Sequence, residues 1–327
     1  MTSSHVSVVV PTHRRPKLLE RCLRAILAQR LAPGDFEVLV VDDGRDGATR
    51  SLVRQLRAEA PGGPVLRYLR PSAGRGPAVA RNAGWREARA PIVAFTDDDT
   101  VPEPDWLAEG LASLARHGAD AVAGGIVVPR APVAPTDHAR MTIALETAEF
   151  VTANAFVRRS ALASVGGFDE RFGRPWREDT DLQFSLLEAG GRIVRAPAAR
   201  VEHPVRPERW GVSLRQQKNA FYEALLYKKH PQLYRHRVLP GRPLDFYGVV
   251  ACTLLAAIAA ALGQAALACT FLVGGLLLVG AFVARRLRGA DHRPSHVAEM
   301  VVTSLAIPFL SCYWRLRGAL HFRVWYW

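Results

Sequence analysis

The sequence predicts an α/β domain built around a doubly wound, largely parallel sheet, followed by a helical membrane hairpin. Up to residue 99, short β-branched runs alternate with stretches whose apolar residues recur at helical spacing, the pattern of a parallel sheet with helical crossovers. Polar residues follow several of these runs directly. The stretch 246–284 contains no charged residue, and this predicts the hairpin.

The elements of the first part follow in order. Four strands are predicted, and each of the first three is followed by a helix, with strands at 6–10, 37–44, 65–70 and 91–99 and helices beginning at 16, 49 and about 77. Between 101 and 200 the pattern is mixed. We expect a strand at 121–128, a strand leading into a short helix over 152–170, and an acid-opened helix and a strand over 176–194.

Polar side chains gather where the predicted strands end. They are Thr12, Asp42, Asp43, Asp97, Asp98 and Asp99. In open α/β sheets, ligands bind beyond the carboxyl ends of the strands. We therefore expect a binding site at this edge. Three consecutive aspartates either form a solvated turn or hold a cation, and their position after a strand favours the cation.

Composition limits the function classes. The 327 residues suffice for one large domain or two smaller ones, and the formal charge of +13 comes almost entirely from arginine. The arginines carry no interleaved aromatic pattern, so we expect no nucleic-acid partner and favour a phosphorylated substrate or an anionic membrane surface. Four scattered cysteines predict neither a disulfide framework nor a zinc site. The N-terminus does not have the pattern of a signal peptide.

The uncharged stretch 246–284 is long enough for two short spans, which Gly263-Gln264 divides into a tight hairpin. A buried helix pair of a soluble protein is the alternative, and a charge-free run of this length favours the membrane. Basic residues flank both ends, at Arg237, Arg242, Arg285, Arg286 and Arg288. By the positive-inside tendency, both ends lie in the cytoplasm.

A third apolar stretch, 300–314, is short for a crossing and contains Pro308. Arginines and aromatic residues follow it, which favours an interfacial or re-entrant helix at about 297–320. The stretch 212–230 predicts a basic helix that either packs on the domain or lies on a membrane surface. The expected layout is a catalytic domain at 1–210, an interfacial helix and linker at 211–244, and a membrane region at 245–327.

Five motifs together resemble the family 2 glycosyltransferases of the GT-A fold. They are VSVVVPTHRR, VLVVDDG, GRGPAVARNAG, AFTDDDTVPEPDWL and GGFDERFGRPWREDTDL, and the likeness covers roughly residues 5–205. The resemblance implies a Rossmann-like mixed sheet flanked by helices. It also implies an inverting enzyme of hexosyltransferase type, which moves a sugar from a nucleotide-diphosphate donor to a hydroxyl acceptor.

The resemblance also implies a donor site. Asp99 would bind Mg²⁺ or Mn²⁺, Asp97 would lie near the ribose and the metal, and His203 near the metal or the diphosphate. Hard oxygen ligands suit either ion. Residues expected to contact the nucleotide sugar are Pro11, Thr12, Arg14, Asp42, Asp43, Arg75, Arg81, Asn82, Asp97, Asp98, Arg209 and Trp210. Asp98 receives no individual role.

The acidic motif REDTDL implies the catalytic base. Carried over from the family, Asp179 takes the proton of the acceptor hydroxyl, and Glu178 either supports it or binds the acceptor. Asp181 is a weaker candidate, for which a structural role is favoured. Read without the family, acids in a first helical turn also complement the helix dipole. Both interpretations stay open for this motif.

The motif RPERW departs from the QxxRW of processive synthases, because Arg206 stands in place of glutamine. This favours transfer of a single sugar. We expect a glycan or lipid-linked acceptor, with membrane lipids as further partners, because the hairpin and the basic helix would hold the site near the bilayer. A sugar-phosphate nucleotidyltransferase is disfavoured, since its glycine-rich loop is absent after VSVVVP. A non-catalytic membrane scaffold is disfavoured by the intact acids at 97, 99 and 179.

Overall fold

The computed structural model describes residues 5–45, 47–238 and 243–326, so Arg242, one of the predicted flanking cations, lies outside the described residues. The chain forms two compact units. The N-terminal unit comprises 1–129 and 142–205, and the C-terminal unit comprises 130–141 and 206–327. The boundary after 205 lies near the expected end of the catalytic domain at 210. The inclusion of 130–141 in the C-terminal unit was not expected from the sequence.

The N-terminal unit is built on one mixed sheet of eight strands in the order β3-β2-β1-β4-β7-β6-β8-β5. The strands are β1 (Val6–Thr12), β2 (Phe36–Asp42), β3 (Val65–Leu69), β4 (Ile92–Thr96), β5 (Val101–Pro102), β6 (Ala121–Val127), β7 (Asn154–Arg158) and β8 (Ile193–Glu202). The first four strands are parallel, whereas β7 runs antiparallel to both of its neighbours. The parallel arrangement is therefore confirmed for β1–β4 only, and the sheet as a whole is the mixed one that the resemblance implied.

Helices are interspersed among the strands in the described part of the chain up to Glu188. They are α1 (Pro16–Leu27), α2 (Gly47–Glu59), α3 (Pro77–Glu87), α4 (Trp106–His117), α5 (Asp137–Ile143), α6 (Arg159–Val165) and α7 (Glu178–Glu188). Most of α5 belongs to the C-terminal unit. The third predicted helix, α3, ends at Glu87, because Ala88 takes an extended conformation. Helix α4 was not predicted individually.

The core lies on both faces of the sheet, since side chains alternate along each strand. Val8 and Val10 pack with Trp106 in one cluster, while Val9 and Phe95 pack in the other. The central strands are buried throughout, as expected for a sheet covered by helices on both sides. Their carboxyl ends are therefore held at fixed positions, with polar residues directly after them.

The C-terminal unit is helical. Its helices are α8 (Val212–Gln216), α9 (Ala220–Lys229), α10 (Pro231–Leu233), α11 (Leu244–Ala261), α12 (Ala265–Leu287) and α13 (Pro294–Phe322), with a π-helical turn at Tyr234–Val238. Gly263 has a φ of +72°, which suits glycine, and separates α11 from α12 as predicted. Three helices among the described residues, α11, α12 and α13, are long and apolar enough to cross a membrane.

The third apolar stretch lies in one long helix, whose bounds are close to the expected range of about 297–320. The helix α13 has 29 residues and continues through Pro308, so it is not too short to cross. A proline inside a helix is expected to end or kink it, because the ring removes one backbone hydrogen bond. Here the side chains around Pro308 are buried on one face, and packing maintains the helix.

Helix α3 packs closely against the sheet at Gly84. Gly84 faces the sheet, where an added Cβ would overlap Val9 Cγ1 and approach Val41 Cγ2 to 3.2 Å. We expect Gly84→Ala to destabilise the protein by about 1–3 kcal/mol through overpacking. Thermal unfolding in detergent measures the change. Gly62→Ala is the matched control, since nothing lies within 4 Å of its added Cβ. Equal melting temperatures for the two variants would contradict this packing.

Candidate functional site

The loop after β4 directs three consecutive aspartates to different partners. Thr100 closes the loop, with its backbone N–H 3.2 Å and its hydroxyl 2.9 Å from the Asp97 carbonyl oxygen. Asp98 and Asp99 are buried, and Asp97 is partly exposed. Three carboxylates on one turn repel one another unless each has its own compensating group. The arrangement therefore depends on the groups that each aspartate meets.

Asp97 and Asp99 lie beside His203, the first residue after β8. One ligand atom from each of the three residues lies within 4.8 Å of the others, and His203 Nε2 is 3.8 Å from Asp99 Oδ1. The His203 backbone N–H donates to the Val127 carbonyl at 2.8 Å, which fixes its place beside β6. Two carboxylates and an imidazole suit Mn²⁺ and also accommodate Mg²⁺, so these residues fit a divalent cation.

Arg81 of α3 connects two parts of the site. Its Nη2 donates to Asp97 Oδ1 at 2.8 Å, and its Nη1 donates to Glu178 Oε1 at 2.9 Å. Arg81 and Glu178 are both buried. Burial and the neighbouring Asp179 raise the pKa of Glu178, and the guanidinium opposes that rise. Arg81 therefore compensates acids from two segments that are far apart in the sequence.

Asp179 lies in the first turn of α7 and is half-buried. Its Oδ1 accepts from the Thr180 backbone N–H at 2.7 Å. Burial raises the pKa of Asp179, while Arg81 opposes the rise. Arg177, the residue before the helix, has a φ of +73°. This backbone conformation is rare for residues other than glycine. A carboxylate with a raised pKa accepts a proton more readily than an ordinary one.

Asp98 points into the protein. Its Oδ2 accepts from the Thr12 hydroxyl at 2.7 Å, and its Oδ1 lies 3.3 Å from Arg15 Nη1. Burial raises the pKa of Asp98 to about 6, against the influence of Thr12 and Arg15. These bonds join the end of β1 to the loop after β4. Asp98 and Thr12 thus contact each other inside the protein, and their expected contacts to the donor stay predictions.

The loop after β2 approaches the start of α3. Asp43 Oδ2 accepts from the Gly76 backbone N–H at 2.9 Å and lies 3.7 Å from His13 Nδ1. Asp42 is fully buried and accepts from the Tyr68 hydroxyl at 2.7 Å. Asp43 is therefore the more accessible of the two, as a nucleoside contact requires.

Other predicted donor residues lie in different settings. Pro11 is half-buried at the end of β1, and Arg14 and Arg75 are exposed on loops at the same edge of the sheet. Arg14 has a φ of +54°. Arg209 and Trp210 belong to the C-terminal unit, where both are exposed. Their role as donor contacts stays a prediction.

Asn82 has a structural environment. Its amide nitrogen donates to the Phe168 carbonyl and to Glu170, both at 2.8 Å, and its oxygen accepts from Trp85 at 2.8 Å and from the Phe168 N–H at 2.9 Å. An amide side chain offers two donors and two acceptor positions, so these contacts use its capacity. Asn82 therefore anchors the loop that precedes α7, and its expected donor contact stays a prediction.

Sequence reasoning missed two residues of this region. Arg15 supports Asp98, and Tyr68 supports Asp42. The only local signal for Arg15 is its place three residues after Thr12, directly beyond a strand end. Tyr68 gives no such signal, because it lies within a strand and meets Asp42 only through the pairing of β2 with β3.

Comparisons with known proteins agree with this geometry. The family model described as Glycosyl transferase family 2 matches residues 7–166, and the one described as Glycosyl transferase family group 2 matches residues 92–284. The protein is 30% identical over 214 residues to glycosyltransferase AglE of Haloferax volcanii, with 61% of this chain and 69% of that protein covered. It is 32% identical over 215 residues to the succinoglycan biosynthesis protein ExoM of Rhizobium meliloti, with 63% and 68% covered.

The fold also matches a solved structure. The mannosyltransferase PcManGT of Pyrobaculum calidifontis, in complex with GDP-Man and Mn²⁺, aligns with a TM-score of 0.54 at 22% identity, covering 96% of this chain and 84% of that one. Identity at this level supports the fold alone. The family models and the two relatives carry the assignment further, and the chain belongs to glycosyltransferase family 2, with a catalytic domain of the GT-A fold.

Proposed function

We propose that the protein transfers one sugar from a nucleotide-diphosphate sugar to a hydroxyl acceptor, with metal dependence and with inversion at the anomeric carbon. The observation that carries this proposal is the double salt bridge of Arg81 to Asp97 and Glu178. The guanidinium of Arg81 lies between the metal-ligand candidate Asp97 and Glu178 of the acidic motif. Donor binding and proton removal are therefore proposed to share one rigid support.

On the donor side, Asp97, Asp99 and His203 would hold Mg²⁺ or Mn²⁺. A divalent ion there supplies a counter-charge for the diphosphate leaving group. Arg81 offsets the charge of Asp97, and Asp43 offers a partly exposed acceptor for base or ribose donors. The neighbour described above contains GDP-Man and Mn²⁺, which supports a nucleotide sugar as the class of donor.

On the acceptor side, Asp179 is the proposed general base. The acceptor oxygen attacks the anomeric carbon, its proton passes to Asp179, and the nucleoside diphosphate leaves with the electrons of the broken bond. The half-buried position and raised pKa of Asp179 suit this role. Glu178 is held by Arg81 and is proposed as a positioning residue.

The apolar helices of the C-terminal unit suggest that the protein acts at a membrane. The helices α11 and α12 would cross the bilayer as a hairpin, and the basic residues at its feet favour a cytoplasmic location for both ends. Arg285 at the end of α12 pairs with Asp245 at the start of α11, so the two feet adjoin. The catalytic domain is therefore proposed to work on the cytoplasmic face of the cell membrane, with a glycan or a lipid-linked molecule as acceptor.

The helix α13 is proposed to lie along the membrane surface instead of crossing. Arg286 at the foot of α12 donates to Thr303 at 2.7 Å and to Ser304 at 2.9 Å. Tyr247 at the foot of α11 shares a cavity with Arg315. Thr303, at the foot of α12, and Arg315, at the foot of α11, are twelve positions apart in α13, which corresponds to about 18 Å along a helix. A helix that passes beneath both feet runs across the hairpin axis.

The opposite face of α13 supports the same orientation. It packs on α8 and α9, where Gly211 N–H donates to Glu299 at 2.7 Å and Lys228 Nζ donates to the Phe322 carbonyl at 2.7 Å. A crossing would carry these charged neighbours into the hydrocarbon, which is costly. A stripe of exposed apolar side chains runs along α13 and would enter the leaflet, namely Val301, Val302, Leu305, Phe309, Tyr313, Leu316 and Leu320.

The base assignment is tested by Asp179→Asn. We expect transfer to fall by about 10²–10⁴-fold, because the amide accepts no proton at neutral pH. Nucleotide-sugar binding, measured by calorimetry, should remain. Asp105→Asn is the control, since Asp105 is an exposed carboxylate paired with Arg30 at 2.7 Å. Transfer at the parental rate by Asp179→Asn would remove Asp179 from the mechanism.

The metal assignment is tested by binding of Mn²⁺ alone, followed by its EPR signal. We expect Asp99→Asn and His203→Ala each to weaken Mn²⁺ binding by at least about tenfold, since each loses one ligand atom. Glu170→Gln serves as a control at a partly exposed carboxylate bonded to Asn82. Unchanged Mn²⁺ affinity in both ligand variants would contradict the site.

The orientation of α13 is tested by topology reporters in the full-length protein. An epitope inserted at Gly263 and a second one at the C-terminus should lie on opposite sides of the membrane, because the hairpin crosses twice and α13 does not cross. Protease protection of sealed vesicles reads both sites. If both epitopes are exposed on the same side, α13 crosses and the surface orientation is wrong.

A further inference from the structure

A cavity of about 220 Å³ lies within the C-terminal unit, near the last turns of α13. Its wall includes Tyr247 of α11, Arg315 and Ala319 of α13, and Trp325 and Tyr326 of the tail. Most of the lining is apolar, and Arg315 is its cationic member. The cavity belongs to a different unit from the acidic site and has no part in the proposed transfer mechanism.

The tail forms one side of this cavity. Arg323 has a φ of +51° and ends α13, so the chain turns after Phe322. Tyr326 is buried, its hydroxyl donates to the Ala220 carbonyl at 3.3 Å, and its ring packs against Tyr227. Trp325 beside it is 62% exposed. The wall is therefore anchored at Tyr326 and borders solvent or lipid at Trp325.

Arg315 offers a donor that the protein leaves open. Its Nε is buried and has no hydrogen-bond partner among the described residues. Four titratable groups influence the guanidinium from the surrounding elements, namely Tyr326, Glu223, Tyr234 and Tyr247. Glu223 already accepts from the Tyr234 hydroxyl at 2.8 Å. Arg315 is also one of the residues that line the cavity, so its guanidinium supplies a positive charge at the cavity wall.

We propose that this cavity binds a membrane lipid that carries a phosphate. The phosphate would accept from the Arg315 guanidinium, whose planar fork matches phosphate oxygens. The first apolar carbons of the lipid would pack on Leu316, Ala319 and Trp325. Tyr247 lies in the first turn of α11, at the level where a spanning helix meets the headgroups. Inorganic phosphate matches only the cationic part of this lining.

The native Cys312 provides a reporter, because it also lines the cavity. In a full-length Cys252→Ser, Cys269→Ser background, Cys312 is the remaining partly exposed thiol, and Cys22 is buried. The rate of Cys312 alkylation by a maleimide is measured by mass spectrometry in maltoside micelles. Three probes are compared: dodecyl phosphate, dodecanol and inorganic phosphate. We expect dodecyl phosphate alone to slow alkylation, by about tenfold.

Two arginines of α13 make a matched pair of variants. Arg315→Gln should abolish the protection by dodecyl phosphate, whereas Arg317→Gln should retain it, because Arg317 is exposed and stacks on Trp314 at 4.9 Å. Arg315→Lys keeps the positive charge but lacks the planar fork, so dodecyl phosphate should protect Cys312 only weakly in this variant. This second variant tests the proposal if Arg315→Gln does not fold.

The remaining outcomes overturn the proposal. Equal protection by dodecanol would show an apolar cavity that does not recognise phosphate. Equal protection by inorganic phosphate would show a site for a free anion and not for a lipid. If dodecyl phosphate leaves the alkylation rate unchanged, the cavity binds no lipid phosphate. None of these results depends on the transferase activity, so the proposal fails separately from the proposed function.

Discussion

The double salt bridge of Arg81 is the interaction on which the candidate active site depends. A buried guanidinium is tolerated only when it is paired and hydrogen-bonded, and a buried carboxylate has the same requirement. Arg81 meets both conditions with Asp97 and Glu178. Removal of its charge would leave two carboxylates and the adjacent Asp179 without their shared counter-charge. The raised pKa values of the acidic motif would then rise further, and the metal-ligand candidate Asp97 would lose its fixed position.

The same constraint explains how three aspartates occupy one turn. Asp97 pairs with Arg81, Asp98 turns inward to Thr12 and Arg15, and Asp99 faces His203. The three carboxylates are adjacent in the chain, but each one faces a different partner, so they point in different directions. Asp98 links two strand ends, so the loop that offers Asp97 and Asp99 is fastened to the loop after β1. Rigidity of this kind favours a site whose charges are arranged before the substrate arrives.

The sequence predicted the parts of this site whose signal is local. Strands β1–β4, the polar residues after them and the metal candidates all follow from runs of a few residues and from the resemblance. The partners were not predictable in this way, because Arg81 and Glu178 are 97 positions apart and Thr12 and Asp98 are 86 apart. Asn82 shows the same limit: its motif suggested a ligand contact, while its four hydrogen bonds lie within the protein. Pro308 lies inside α13, where packing maintains the helix against the local preference of proline.

The dominance of arginine over lysine has a structural reason in both units. All but four of the 43 basic residues are arginine. Arg81 binds two acids at once, and the buried Arg286 binds Asp137 at 2.7 Å together with the Thr303 and Ser304 hydroxyls. A lysine ammonium offers a compact charge and cannot span partners on a planar fork. Arg81 and Arg286 therefore contribute to the charge of +13 while their guanidinium groups serve buried networks. Arg315 and Arg81 both have a buried Nε without a hydrogen-bond partner among the described residues. Arg315 differs in its location, since it lines a cavity of the C-terminal unit, and this location makes it the candidate for binding a ligand.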